Sequence, residues 1–156
     1  MKKILLIILL VINSVFLLAI SGKVVKVSDG DTFYLKSNGK SYKIRMYGID
    51  APELHQAYGQ ESKKYLENLI MDKNVDVNIK SEDKYGRKVG KVIYKNKDIN
   101  LEMIKSGNAW YYGYYAKSEK EYKKAFENAQ KKKIGLWKGK NIENPRDYRL
   151  KHKRED

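Results

Sequence analysis

The chain has no cysteine among its 156 residues, which excludes disulfides, thiolate catalysis and cysteine-based zinc sites. Only two histidines are present, His55 and His152, too few for a histidine-rich metal centre, and His152 falls in a highly charged tail. A metal here has to be held by oxygen ligands, which points to calcium or magnesium. Neither a low-complexity linker nor an internal repeat interrupts the sequence, and the length suits one domain. Negative charge is in short supply: 19 Asp and Glu face 33 Lys and Arg, for a formal net charge of +14. The basic residues are spread along the chain. Such a balance favours a polyanionic partner, whether nucleic acid, an anionic membrane surface or an acidic wall polymer. Thirteen tyrosines add weight to nucleic acid because aromatic faces stack on bases; the plainer reading places most of them in the core or at its edge.

The long apolar run lies at the start. Lys2 and Lys3 precede Ile4 to Ile20, broken by Asn13 and Ser14. As a helix this run would be about 26 Å long, marginal for spanning a bilayer. Ala19-Ile20-Ser21 puts small residues where a signal peptidase cuts, so cleavage before Gly22 is expected. An uncleaved membrane anchor is the competing reading, because the first strand starts directly after Ser21 with no linker. Residues 1–21 are therefore an address in either case, and the folded part is expected outside the cytoplasmic membrane. Residues 22–140 form the domain, and 141–156 read as a charged C-terminal tail, mobile in part.

Within the domain, Lys23 to Val27 reads as a strand, followed by the turn Ser28-Asp29-Gly30-Asp31 and a second strand from Thr32 to Lys36. Asn38-Gly39 is a strong hairpin signal. The third strand, Ser41 to Tyr47, alternates: Tyr42, Ile44 and Met46 on one face, Lys43, Arg45 and Tyr47 on the other. Gly48 to Tyr58 is a loop containing Pro52. Gln60 to Met71 reads as a helix with an apolar stripe of Tyr65, Leu66, Leu69 and Ile70. Val75, Val77 and Ile79 mark a fourth strand, Ser81 to Gly86 a polar loop, and Lys88 to Tyr94 a fifth strand. Asn100 to Ser106 forms a short helix stopped by Gly107, and Ser118 to about Lys132 a last helix carrying Tyr122, Ala125, Phe126 and Ala129. Ile134 to Trp137 closes the core. Three strands, a helix and two strands predict an α+β protein, a five-stranded OB-fold barrel with two C-terminal helices.

Four segments carry candidate chemistry: Asp29-Gly30-Asp31-Thr32, Arg45 through Glu53, Asp83-Lys84-Tyr85-Gly86-Arg87, and Gly107 through Tyr112. Each has a plain alternative. Asp29 more readily fixes its turn than binds a metal, Arg45 alone would be a solvated charge, and Glu53 alone could cap the following helix. His55 is a loop residue, and Trp110 and Trp137 suit the core better than a stacking platform. The case rests on the joint presence of Asp31, Arg45, Asp50, Glu53 and Arg87.

In this order and combination, the DGDT, R-x4-D-x-P-E and DKYGR segments resemble the staphylococcal nuclease family from about Gly22 to Trp137. The resemblance implies a calcium-dependent nuclease that hydrolyses DNA and RNA, preferring single strands and leaving 3′-phosphates. Asp31 and Asp50 match the family's calcium-binding carboxylates. A third ligand, a backbone carbonyl, falls at Ala51, where the family's threonine is absent. Glu53 matches the general base, and Arg45 and Arg87 match the arginines that grip the scissile phosphate. Lys84 and Tyr85 match residues near a terminal phosphate and a nucleotide ring. One of Tyr112, Tyr114 and Tyr115 matches a further tyrosine lining the site, with Tyr112 and Tyr115 the candidates. No obligate protein partner is implied, and a monomer is expected.

These residue types suit the chemistry. A hard cation on two aspartates polarises a phosphate oxygen and positions water. A glutamate near phosphorus removes the water proton. Planar arginine forks match phosphate oxygens bidentately and supply the electrostatic stabilisation that dominates such reactions.

Overall fold

A computed structural model describes residues 18–152. Most of the expected signal or anchor, residues 1–17, lies outside the described residues, as do 153–156. The described chain is an OB-fold barrel dressed with helices. Its first three strands, β1 (Ala19–Val27), β2 (Thr32–Ser37) and β3 (Lys40–Met46), form an antiparallel meander. Asn38 and Gly39 turn β2 into β3 with φ of 48° and 75°, the double positive φ that an Asn-Gly hairpin turn requires. A two-residue strand β4 (Ile49–Asp50) and helix α1 (Gly59–Ile70) come next. Then β5 (Asn74–Glu82) pairs with β1, and β6 (Lys88–Tyr94) pairs antiparallel with β5 and parallel with β3, closing the barrel.

Alternation in the strands decides the inside. Val24, Phe33, Leu35, Ile44, Val77 and Val92 are fully buried in the barrel, because successive strand residues face opposite sides. Leu66 and Ile70 of α1 pack on the same core, as their helical spacing predicts. A short strand β7 (Lys97–Asp98) leads into α2 (Ile99–Lys105), whose N-terminus is capped by Asp98 accepting from the Leu101 amide at 3.0 Å. Strand β8 (Trp110–Tyr111) and helix α3 (Lys120–Lys131) follow. Leu136 and Trp137, in a 3₁₀ turn at Gly135–Lys138, bury against Ala129 with Trp110 and Phe126 alongside.

Three local readings change. The first strand begins at Ala19, not Lys23, because Ala19 to Lys23 pair residue by residue with Asn78 to Asn74. The fourth strand extends to Glu82, so part of the expected polar loop is ladder. The segment expected as a charged, partly mobile tail contains helix α4 (Pro145–His152), so among the described residues three helices follow the barrel where two were expected. Its start is a local signal that the charge of the segment masks. Asn144 Oδ1 accepts from the Arg146 amide at 2.9 Å, and Pro145 takes the first helical position, where a missing N–H costs nothing.

Candidate active site

Asp31 and Asp50 meet at the end of β2 and β3 remote from the Asn38-Gly39 turn. Pairing of Thr32 with Arg45 sets the register, and the turn before Thr32 folds inward so that Asp31 Oδ2 accepts from the Ala51 amide at 2.7 Å. Gly30 permits this approach: a Cβ there would stand 1.9 Å from Ser62 Oγ and 2.7 Å from the Ala51 Cβ. Asp29 accepts from the Asp31 amide at 3.0 Å and so fixes the turn. Both aspartates are buried, Asp31 at 6% and Asp50 at 3% exposure.

Arg45 ties them together. Its Nη2 lies 2.9 Å from Asp50 Oδ1 and 3.2 Å from Asp31 Oδ2, while Nη1 donates to the Met46 and Ile49 carbonyls, both at 2.9 Å. Three hydrogen bonds and the ion pair with Asp31 thereby fix both terminal nitrogens of the guanidinium on the loop and the carboxylates. Glu53 joins the cluster through Arg149 of α4. Arg149 Nη1 stands 2.6 Å from Glu53 Oε1 and 3.2 Å from Asp50 Oδ1, and Nη2 stands 2.9 Å from Asp50 Oδ2.

Arg87 is held elsewhere. Its Nε donates to Asp83 Oδ2 at 2.7 Å, and Asp83 Oδ1 accepts from the Tyr85 and Arg87 amides at 2.9 and 3.1 Å. Asp83 thus shapes the loop that presents Lys84, Tyr85 and Arg87. The Lys84 ammonium and Arg87 guanidinium lie 5.1 and 5.6 Å from the Tyr85 ring centre. The next residue, Lys88, pairs with Ile44 in the parallel ladder, which brings this loop to the β3 edge that also delivers Arg45. On the other side, β4 pairs with β8, Asp50 opposite Trp110, and the Tyr112 amide donates to the Gly48 carbonyl at 2.8 Å. This pairing sets the tyrosines beside the aspartate loop. Tyr112 and Tyr115 are 5.4 Å apart, Tyr114 and Tyr115 4.8 Å, and Tyr85, Tyr114 and Tyr115 are largely exposed.

Residues 43–139 match the family described as staphylococcal nuclease homologue. The chain is 47% identical over 132 residues to an uncharacterized endonuclease of Haemophilus influenzae, covering 84% of this chain and 74% of that one. It is 34% identical over 139 residues to a micrococcal nuclease of Shigella flexneri, covering 82% and 79%. With a staphylococcal-like nuclease of Arabidopsis thaliana it shares 38% identity over 115 residues, 74% of this chain but 35% of that longer protein. The chain belongs to the staphylococcal nuclease family. It is a nuclease, a hydrolase acting on nucleic acid.

The electrostatics of this nuclease site suit a hard cation. Burial pushes the Asp31 carboxyl up to about 6, against the pull of Arg45, and burial likewise raises Asp50 despite its bonds to Arg149. Two buried carboxylates so strained toward the neutral form gain from a nearby cation. Among the described residues no group of three or more His, Cys, Asp or Glu side chains could hold a metal ion. A cation at Asp31 and Asp50 would therefore keep water ligands, as hard divalent ions readily do.

Two residues at the site carry no signal of their role in the sequence: Arg149 falls in a segment that reads as a charged tail, and Gln56 in a loop. Gln56 is buried; its Oε1 accepts from the Glu53 amide at 3.0 Å and its Nε2 donates to the Glu143 carbonyl at 2.8 Å. It bolts the Glu53 loop to the segment that carries α4. The Asn144-Pro145 pair could have signalled the helix; nothing local could have signalled its counterions.

Proposed function

We propose that this nuclease is calcium-dependent and hydrolyses phosphodiester bonds in DNA and RNA, with Glu53 as general base and Arg45 and Arg87 on the phosphate. The observation that carries the reading is the pair of buried aspartates joined by Arg45, with Glu53 in the same cluster. Asp31, Asp50 and the Ala51 carbonyl would hold the calcium ion, which when bound would neutralise phosphate charge and lower the barrier to attack. Glu53 takes a proton from water as the water oxygen bonds to phosphorus. The bond from phosphorus to the 5′ oxygen breaks and that oxygen takes a proton from solvent water, leaving a 3′-phosphate and a 5′-hydroxyl. Arg45 Nε–H and the Arg87 fork stabilise the charge that grows on the phosphate oxygens. Lys84 takes a terminal phosphate, and Tyr85, Tyr112 and Tyr115 stack on bases. Exposed rings beside the site favour single strands, whose bases are free to stack. The enzyme acts as a monomer.

Export accounts for a calcium requirement, since calcium is plentiful outside cells. Lys2, Lys3 and the apolar run to Ile20 support export, by cleavage or by anchoring. The start of β1 at Ala19 supports a mature domain that keeps Ala19 to Ser21.

Incubating the purified chain with single-stranded DNA, in calcium, in magnesium and in a chelator, tests the reading. Cleavage is expected in calcium, weakly in magnesium, and not in chelator, with products bearing 3′-phosphate. Undiminished cleavage in excess chelator removes Asp31 and Asp50 from the mechanism, and binding without any cleavage makes the domain a nucleic-acid-binding module.

A further inference from the structure

Arg149 lies beyond the matched residues 43–139 and has no part in the reaction above, yet its guanidinium sits on the groups that carry it. A carboxylate offers about four lone-pair sites. Three on Asp50 are filled: Oδ1 by Arg45 at 2.9 Å and Arg149 at 3.2 Å, Oδ2 by Arg149 at 2.9 Å. The same Nη1 holds Glu53 Oε1 at 2.6 Å. One side chain thus covers a carboxylate that would ligate a cation and pairs the base that would accept the proton.

We propose that Arg149 is a counterion lock: without a divalent cation it fills the ligand positions of Asp50 and neutralises Glu53, and cation binding expels it. The inference rests on the reading of Asp31 and Asp50 as metal ligands. Charge supports the exchange. Asp31, Asp50 and Glu53 face Arg45 and Arg149, three carboxylates against two guanidinium groups. Replacing Arg149 by a divalent ion balances the cluster, whereas adding the ion beside Arg149 places like charges at contact distance.

The mounting of Arg149 also suits release. Arg45 has a side chain 15% exposed and anchors two backbone carbonyls, so it cannot leave without opening the loop. Arg149 has a side chain 39% exposed and bonds only to carboxylates in the described contacts. In α4 the buried residue is Pro145, one turn before Arg149. Gln56 and Ile142 fasten the segment before the helix. The helix is tethered at its start and, beyond that, by ion pairs, Arg149 with Asp50 and Glu53 and exposed Lys151 with Glu143, a pattern of low local stability. Removal of the cation would return Arg149 to Asp50 and Glu53 and idle the base.

Two measurements on the full chain test this. By titration calorimetry, Arg149→Ala should bind calcium about ten-fold tighter or more, the scale of one displaced charge-assisted bond. In the unaltered, nitrogen-labelled chain, the slowly exchanging guanidinium NMR signals of Arg149, identified by their loss in Arg149→Ala, should disappear as calcium saturates the site. Equal or weaker calcium binding by Arg149→Ala overturns the lock and leaves the metal reading standing. Persistence of the Arg149 signals at saturating calcium overturns it as well. If neither chain binds calcium, the lock falls together with the metal reading on which it rests.

Discussion

Arg45 Nη2 bridges Asp31 and Asp50 at 3.2 and 2.9 Å, so one nitrogen holds together two carboxylates that would otherwise repel. Its partner nitrogen fastens the loop from Met46 to Ile49. Arg45 is therefore a structural clamp, whatever its proposed role on the phosphate. Arg45→Ala leaves two buried carboxylates without it and should lower unfolding stability by about 3 kcal/mol in chelator. Arg45→Lys keeps the charge but cannot span four acceptors, and should recover less than half of the loss. Urea denaturation of the three proteins measures both. A loss below the error of the method in Arg45→Ala would show that the clamp is immaterial.

Glu53→Gln keeps the shape of the side chain and removes the carboxylate proposed as base. Single-turnover cleavage of single-stranded DNA should fall by roughly 10²–10⁴-fold, with binding unchanged or slightly tighter because one negative charge is gone. Arg87→Ala should lose at least roughly 10²-fold in rate with a smaller effect on binding. Both are compared at one salt concentration, since affinity for a polyanion shifts with salt. Parent-like cleavage by both variants would place the chemistry elsewhere.

Burial raises Asp31 to about 6, above its unfolded value of about 4. Its contribution to stability is therefore fully present below the unfolded value and is lost as pH rises through about 6. In chelator, Asp31→Asn, which imitates the protonated form, should be more stable than the parent at pH values above that range. The gap should close toward about pH 4, where both side chains are neutral. Urea titrations across this range decide the matter; a gap that does not change with pH assigns it to something other than ionisation.

Cleavage before Gly22 would remove three residues from β1. Ala19, Ile20 and Ser21 pair with Asn78, Val77 and Asp76, and Ile20 packs on the core. A chain starting at Gly22 should be less stable than one starting at Ala19 by roughly 1–3 kcal/mol. Thermal unfolding of the two forms gives the difference, and N-terminal sequencing of exported protein shows which form exists. Equal stability of the two would show that Ala19 to Ser21 add nothing to the fold.

The barrel was legible because its signals are local. Alternation in Ser41 to Tyr47 needs only the pleat of one strand, the Asn38-Gly39 turn only the φ freedom of its residues, and the stripe in α1 only the period of a helix. Asp50 and Glu53 were legible for the same reason, being three residues apart in one loop. Local pattern thus set the elements and the residue types that could do the chemistry. Tertiary structure decided which of them meet. Asp31 reaches Ala51 through the register of β2 on β3 and the bare Cα of Gly30, Trp110 reaches Asp50 through two strands too short to show a period, and Arg87 turns to Asp83 within its own loop. Arg149, in a run of charges that looks like any solvated tail, finds Asp50 at a separation of 99 residues. A counterion leaves no periodic mark on the sequence, because its partner is chosen by where the chain folds back and not by its neighbours along it.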